Sequence, residues 1–95
     1  MQKYVILSRL SPDALKDPKG FKKLAERVID HIKKECPDVV WKESFAVMGR
    51  FDIVDIVEAK DPKQVEKAVM IIRTYGHSIT ETMPATLWRD FLDTL

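Results

Sequence analysis

The chain has 95 residues, 45% of them hydrophobic and 33% charged, with 16 basic against 15 acidic side chains. This length fits a single domain, residues 1–95, and a net charge of +1 argues against a nucleic-acid partner or an anionic membrane surface. The one cysteine, Cys36, excludes an internal disulfide. Because the amino terminus also lacks a signal-like apolar run, we expect a cytoplasmic protein.

The hydrophobic pattern predicts seven elements in the order β-α-β-β-α-β-α. The first strand covers 3–10. The first helix starts at Asp17-Pro18, carries an apolar stripe at helical spacing and ends before Pro37. The remaining elements, in chain order, are a strand at about 39–48, a strand at 51–59, a helix that starts at Asp61-Pro62, a strand at 77–83 and a short helix within 86–95.

Two glycines are expected to shape turns. Gly76 fits the left-handed residue that ends the second helix. Gly49 and Arg50 fit the centre of a glycine-first hairpin turn, which would fix the pairing of the second and third strands. In this register Ser44 faces Asp55 across the hairpin.

The order of elements predicts an α+β protein with the ferredoxin-like split β-α-β fold, βαββαβ plus a C-terminal helix. In this fold the first and third strands are central in a four-stranded antiparallel sheet, and both main helices lie on one face. The third strand, FDIVDIVEA, is apolar on both sides, and so is the first. We therefore expect a homodimer through the helix-free face, a dimeric α/β barrel, with the third helix as the alternative cover.

The hairpin register also predicts which face of the sheet meets the helices. The face with the larger apolar side chains is expected under the helices, and the face with Asp55 is expected on the opposite side. The first set is Trp41, Phe45, Val47, Val54 and Ile56; the second is Lys42, Ser44, Ala46, Ile53, Asp55 and Val57.

Asp55 raises a separate question, because an unpaired carboxylate in a dry layer is strongly destabilising. One hypothesis is a local network with Ser44 and Lys42 that fixes the register of the hairpin. The other is a polar floor to a cavity beneath or between sheets. In that case the ligand-binding residues would be Ser8, Ser44, Asp55, Thr80 and Thr82.

Several short stretches carry a family resemblance. They are Gly49-Arg50-Phe51-Asp52, IVDIVEAKD at 53–61, TETMPA at 80–85 and LSRLSP at 7–12. Together they resemble the GYD domain, named for a glycine-tyrosine-aspartate signature, although Phe51 replaces the tyrosine. The resemblance implies a ferredoxin-like fold of the dimeric α/β-barrel group and brings no established activity.

The titratable residues form no recognisable catalytic motif. His77 and Asp55 are the candidate catalytic residues, each as a general base. The two histidines and the cysteine lack metal-ligand spacing, and the glycines are isolated, so we expect neither a metal nor a cofactor.

Three functions remain open from the sequence. The favoured interpretation is a small homodimeric module that binds or senses a small molecule. The second is a protein-interaction or assembly module that uses the bare sheet face or the third helix. The third is a cofactor-free oxygenase or isomerase of the dimeric α/β-barrel group.

Overall fold

The computed structural model describes the backbone of residues 1–95 and every side chain except that of Leu15. The chain forms four strands and three α-helices, with a short 3₁₀ helix, Pro12–Leu15, after the first strand. In chain order the elements are β1 (Gln2–Leu10), α1 (Pro18–Glu35), β2 (Val40–Ala46), β3 (Ile53–Ala59), α2 (Pro62–Tyr75), β4 (Ser78–Ala85) and α3 (Trp88–Leu92).

The strands form one antiparallel sheet in the order β2-β3-β1-β4. Strands β1 and β3 are therefore central, and the fold is the ferredoxin-like split β-α-β arrangement that the element order predicts. Both main helices start at a proline that follows an aspartate, Asp17 for α1 and Asp61 for α2. Such a proline suits the first helical turn, where a backbone N–H has no helical partner.

The predicted hairpin register is confirmed. Ser44 pairs with Asp55, Phe45 with Val54, and the strands meet at a six-residue connection between Ala46 and Ile53. The predicted glycine-first turn is wrong, because such a turn needs a positive φ at Gly49 and no glycine of the chain has one. A further irregularity, a β-bulge between Trp41 and Glu43, interrupts β2.

The predicted assignment of the two sheet faces is also wrong. The face with Asp55, Val57 and Ser8 lies under the helices, where these residues are 6%, 0% and 1% exposed. The opposite face carries Phe45, which is 49% exposed, and half-buried Ile56. Both faces of the central strands are apolar, so the choice between them depended on side-chain size and on a few polar members. The smaller, more polar set is the one that the helices cover.

The buried core is divided into two clusters. The first joins α1 to α2 through Val28, Ile32 and Ile72, and the second joins the sheet to α2 through Ile6 and Val65. Val39 and Trp41 contact both clusters. Helix α1 therefore packs mainly on α2, and the sheet face beside it is not filled by apolar side chains.

The end of α2 differs from the predicted glycine cap. Gly76 has right-handed angles, φ −88° and ψ −5°, and its N–H donates to Ile72 O at 2.8 Å. The left-handed residue is the next one, His77, with φ 50°. Glycine is needed at 76 for a different reason: a Cβ there would lie 2.5 Å from the backbone oxygen of Ile72.

The carboxyl-terminal arm, Leu87–Leu95, leaves its apolar side chains in solvent. Trp88 is 71% exposed and stacks on Phe91 with ring centroids 5.7 Å apart. The molecule measures 48 × 30 × 17 Å, and its radius of gyration of 14.1 Å exceeds the value of about 12 Å for a compact domain of this length. No described helix is long and apolar enough to cross a bilayer.

Candidate functional site

A cleft of about 600 Å³ lies between α1 and the sheet. Its walls are apolar, with Leu24, Val28 and Ile32 on the helix side and Ile53 on the sheet side. The cleft exists because the sheet residues that face α1 are partly polar, so the helix packs on α2 instead. We call this space the α1 cleft. Its mouth includes exposed Lys33.

The floor of the α1 cleft holds Asp55 in a hydrogen-bonded network. Its Oδ1 accepts from Ser44 Oγ at 2.5 Å and from Trp41 Nε1 at 3.0 Å, and the same indole N–H lies 3.0 Å from Ser44 Oγ. The other oxygen, Oδ2, accepts no hydrogen bond from the described residues. Two donors fix the orientation of the carboxylate and leave one of its oxygens available.

The proposed partner Lys42 is not part of this network. It sits in the β-bulge of β2, makes no ion pair with Asp55 among the described side chains, and contributes instead to the charge near Glu58. The bulge is the reason, since it turns Trp41 to the Asp55 side of the sheet, opposite Val57. Each hypothesis therefore holds only in part: Asp55 has a local network, with Trp41 in place of Lys42, and it lines a cavity, which lies under α1.

Ser8 is the second polar group on the floor. The residue is 1% exposed and lines the α1 cleft, yet its Oγ has no hydrogen-bond partner among the described atoms. On the sheet it pairs with Ile53, one step diagonal from Asp55 on the same face. A buried hydroxyl without a partner is unfavourable by about 1–3 kcal/mol. This atom is thus an unsatisfied hydroxyl that is almost fully enclosed, so a group in the cleft reaches it only after a small local movement.

Neither threonine of the predicted site lines the α1 cleft. Thr80 pairs with Ser8 across β1 and β4, and its Oγ1 is also buried without a partner, but it does not line the α1 cleft. Thr82 lies further along β4 in a smaller pocket beside α2, next to Tyr4 and Arg73. The structure therefore brings together Ser8, Ser44 and Asp55, and leaves both threonines outside.

His77 and Cys36 have no catalytic arrangement around them. His77 is exposed in the turn after α2 and is not among the residues that line the cleft. Cys36 does line it, but the thiol is 1% exposed and burial raises its pKa, which favours the protonated, weakly nucleophilic form. No cluster of three or more His, Cys, Asp or Glu that could hold a metal ion occurs among the described side chains.

Sequence reasoning missed two contributors to the cleft. Trp41 was assigned to the wrong face because alternation along a regular strand cannot reveal a bulge. Ser78, at the start of β4, also lines the cleft, and its Oγ donates to Gly76 O at 3.1 Å. The available signal for Ser78 was its position directly after the α2 turn, where serine commonly bonds nearby backbone.

The topology and the cleft define a ferredoxin-like α+β domain with an open cavity on its helical side. More narrowly, the chain belongs to the GYD domain family, whose model matches residues 4–95. The aspartate of the Gly49-Arg50-Phe51-Asp52 signature has a structural role here. Its Oδ2 accepts a hydrogen bond from Leu10 N at 2.8 Å, and its own N–H donates to Ser8 O.

Solved structures with the same fold include a protein titled FFRP-DM1, which is 23% identical over 90% of this chain and 100% of its own, with a TM-score of 0.60. A feast or famine regulatory protein from Mycobacterium tuberculosis, complexed with L-methionine, is 16% identical with a TM-score of 0.62. The match covers 93% of this chain and 53% of that regulator, so the chain spans about half of its length.

A hypothetical protein from Pyrococcus horikoshii, PHS023, is 24% identical over 92% of both chains, with a TM-score of 0.58. At these identities the structural similarity concerns the fold alone. No curated protein matches this chain.

Proposed function

We propose that this chain is a small-molecule-binding module whose ligand occupies the α1 cleft. The observation that carries the proposal is the combination of apolar walls with two unpartnered polar atoms on the floor, the accessible Asp55 Oδ2 and the enclosed Ser8 Oγ. Ligand pockets commonly measure roughly 300–1,000 Å³ and combine apolar walls with a few polar groups. The α1 cleft, at about 600 Å³, lies within that range.

The Ser8 hydroxyl has no use in a purely structural role. A sheet that only had to pack under α1 would be more stable with an apolar side chain in place of Ser8, because the hydroxyl makes no hydrogen bond. A ligand that satisfies the hydroxyl and fills the cleft would remove this cost. A regulator of the same fold is a complex with L-methionine, and a sensing role for this module is consistent with that example.

The test uses a cleft-filling substitution. Val28 lines the cleft and is buried, so Val28→Trp should occupy the space with an indole. Arg27→Trp is the matched control, because Arg27 is the preceding residue of α1, is exposed and does not line the cleft. The readout is the fluorescence of a neutral solvatochromic dye such as Nile red, titrated with each purified protein.

We expect the wild type and Arg27→Trp to bind one dye per chain and Val28→Trp to lose that binding. Equal binding by Val28→Trp would contradict the proposal, because the dye would then occupy another apolar surface. Circular dichroism of each variant shows whether the fold is retained.

The module is further proposed to be a homodimer joined through the helix-free face of the sheet. Its exposed surface of 7068 Å² exceeds the value of about 5,600 Å² for a compact monomer of 11.0 kDa. This excess of about 1,500 Å² per chain is more than the roughly 800 Å² that each partner buries in a standard interface. Apolar side chains on that face supply the contact: Val5, Leu7, Phe45, Val54, Ile56, Ile79 and Met83.

Sedimentation velocity tests the dimer. Ile56→Lys places a charge at the centre of the helix-free face, whereas Met70→Lys places the same charge on the exposed side of α2. We expect the wild type and Met70→Lys to sediment at about twice the chain mass and Ile56→Lys to sediment as single chains, because a desolvated ammonium at an interface is strongly unfavourable. A wild type that stays monomeric at micromolar concentration would overturn the dimer and leave the cleft proposal intact.

A further inference from the structure

We propose that the ligand of the α1 cleft is an organic amine, with its ammonium group on Asp55 and its apolar body along α1. This inference rests on the proposed function and narrows it to a chemical class. It comes from the donors and acceptors that the cleft presents.

The cleft is lined by one carboxylate and one ammonium group, which form no ion pair with each other. Asp55 and Lys33 are the only charged residues among the described side chains that line it. Asp55 is 6% exposed on the floor, whereas Lys33 is exposed on α1. The described side chains therefore provide no cation for the buried carboxylate. Its Oδ2 has no partner among the described residues and is not one of the fully buried atoms, so a ligand cation in the cleft could pair with it.

The two unpartnered oxygens of the floor can both accept a hydrogen bond, and the Ser8 hydroxyl can also donate one. Asp55 Oδ1 already receives hydrogen bonds from Trp41 and Ser44, so the group that is missing is a donor to Oδ2. Ser8 Oγ, diagonal to Asp55 on the same face, can accept a second hydrogen bond. An ammonium group carries three donors and no acceptor, which matches this pair of atoms. A carboxylate ligand would meet Asp55 with like charge.

The apolar walls of the cleft determine what kind of body the ligand can have. Leu24, Val28, Ile32 and Ile72 offer no hydrogen-bonding groups above the floor. Each buried CH₂ of the ligand would contribute about 0.8 kcal/mol there. A primary amine with a hydrocarbon or aromatic body therefore fits both parts of the cleft.

Three probes with one carbon skeleton test the class: 4-phenylbutylamine, 4-phenylbutanol and 4-phenylbutanoate. Each is titrated by calorimetry into the wild type, Asp55→Asn and Ser8→Ala. A hydrogen bond to a charged group contributes more than one between neutral groups. We expect the amine to bind the wild type about tenfold or more tightly than the alcohol, and the carboxylate to bind most weakly.

In Asp55→Asn the amine should lose about tenfold or more in affinity while the alcohol changes little, because only the charged head depends on the carboxylate. Ser8→Ala removes an atom that makes no hydrogen bond in the free protein, so this variant should fold normally and lose about fivefold for the amine. If Asp55→Asn does not fold, Ser8→Ala still decides the outcome.

The results separate this inference from the proposed function. Equal binding of amine and alcohol, or no binding of the amine, overturns the amine class. If Nile red nevertheless binds to Arg27→Trp and not to Val28→Trp, the cleft remains a binding site for a ligand of another chemical class. If neither the probes nor the dye use the cleft, both proposals fail.

Discussion

Trp41 and Asp55 are joined by a hydrogen bond of 3.0 Å from the indole Nε1 to the carboxylate Oδ1, although a regular β2 strand would place them on opposite faces of the sheet. The bulge between Trp41 and Glu43 brings them together. One extra residue in an edge strand thus supplies the donor that orients the only carboxylate among the described residues on the cleft floor.

Trp41→Phe should lower the free energy of unfolding by about 1–3 kcal/mol, because it removes a hydrogen bond to a buried carboxylate while keeping most of the apolar contact. Urea denaturation followed by circular dichroism measures the change. Lys42→Ala is the control and should stay within about 0.5 kcal/mol of the wild type, since Lys42 is exposed and makes no bond to Asp55. A larger loss of stability in Lys42→Ala than in Trp41→Phe would mean that Lys42, and not Trp41, stabilises the Asp55 carboxylate.

Gly76→Ala should destabilise the fold by about 1–3 kcal/mol, because the new Cβ would meet the backbone oxygen of Ile72 at 2.5 Å and disturb the last hydrogen bond of α2. Gly49→Ala provides a matched comparison, since a Cβ at 49 has no heavy atom within 4 Å. Thermal unfolding of both variants measures the difference. Equal melting temperatures for the two variants would show that the turn after α2 accommodates the new Cβ without loss of stability.

His77→Gly should raise the free energy of unfolding by about 1 kcal/mol, because histidine at φ 50° is held in a conformation that glycine adopts freely. His77→Ala keeps the Cβ and should bring no such gain. Denaturant titrations of the two variants are the measurement. A loss of stability in His77→Gly would indicate that the exposed imidazole makes a contact of its own.

The pair Lys3–Glu58, with Nζ and Oε2 2.6 Å apart, should make stability depend on pH in the acid range. The hydrogen bond from Lys3 lowers the pKa of Glu58 below its ordinary value of 4.5, and the charges of Lys3 and Lys42 act in the same direction. The folded state therefore binds this proton less readily than the unfolded chain. The stability that the Lys3–Glu58 pair contributes is fully present above pH 4.5. It is lost as the pH falls through the lower pKa of Glu58 in the folded state.

Glu58→Gln isolates this effect. Its melting temperature should lie below that of the wild type at neutral pH and should converge with it as the pH falls well below 4.5. A constant difference between the two proteins across that range would mean that the ion pair does not cause the pH dependence.

The fold was predictable because it depends on periodicity and on short-range signals. The helical stripe of α1, the Asp-Pro starts of α1 and α2, and the hairpin register that pairs Ser44 with Asp55 are all visible in consecutive residues. These features determine the order of elements and, through it, the position of the central strands. Of the floor residues, the pairing of Ser44 with Asp55 follows from that register, whereas the position of Ser8 depends on the separate pairing of β1 with β3.

The face of the sheet was not predictable by the same reasoning. When both sides of β1 and β3 are apolar, alternation identifies two faces but does not say which one the helices cover. Size was a misleading guide, since the larger residues Phe45 and Ile56 lie on the helix-free side. The bulge at Trp41 breaks the two-residue period of the strand. Alternation along the sequence therefore could not show that Trp41 donates to Asp55.

The division of the apolar core has a consequence for how the protein moves. Because α1 is held chiefly by α2, tilting α1 away from the sheet would break few contacts and no strand pairing. The backbone amides of α1 should therefore exchange with deuterated solvent sooner than those of the central strands. A guest molecule could then enter and leave by small rocking movements of one helix while the four strands stay intact.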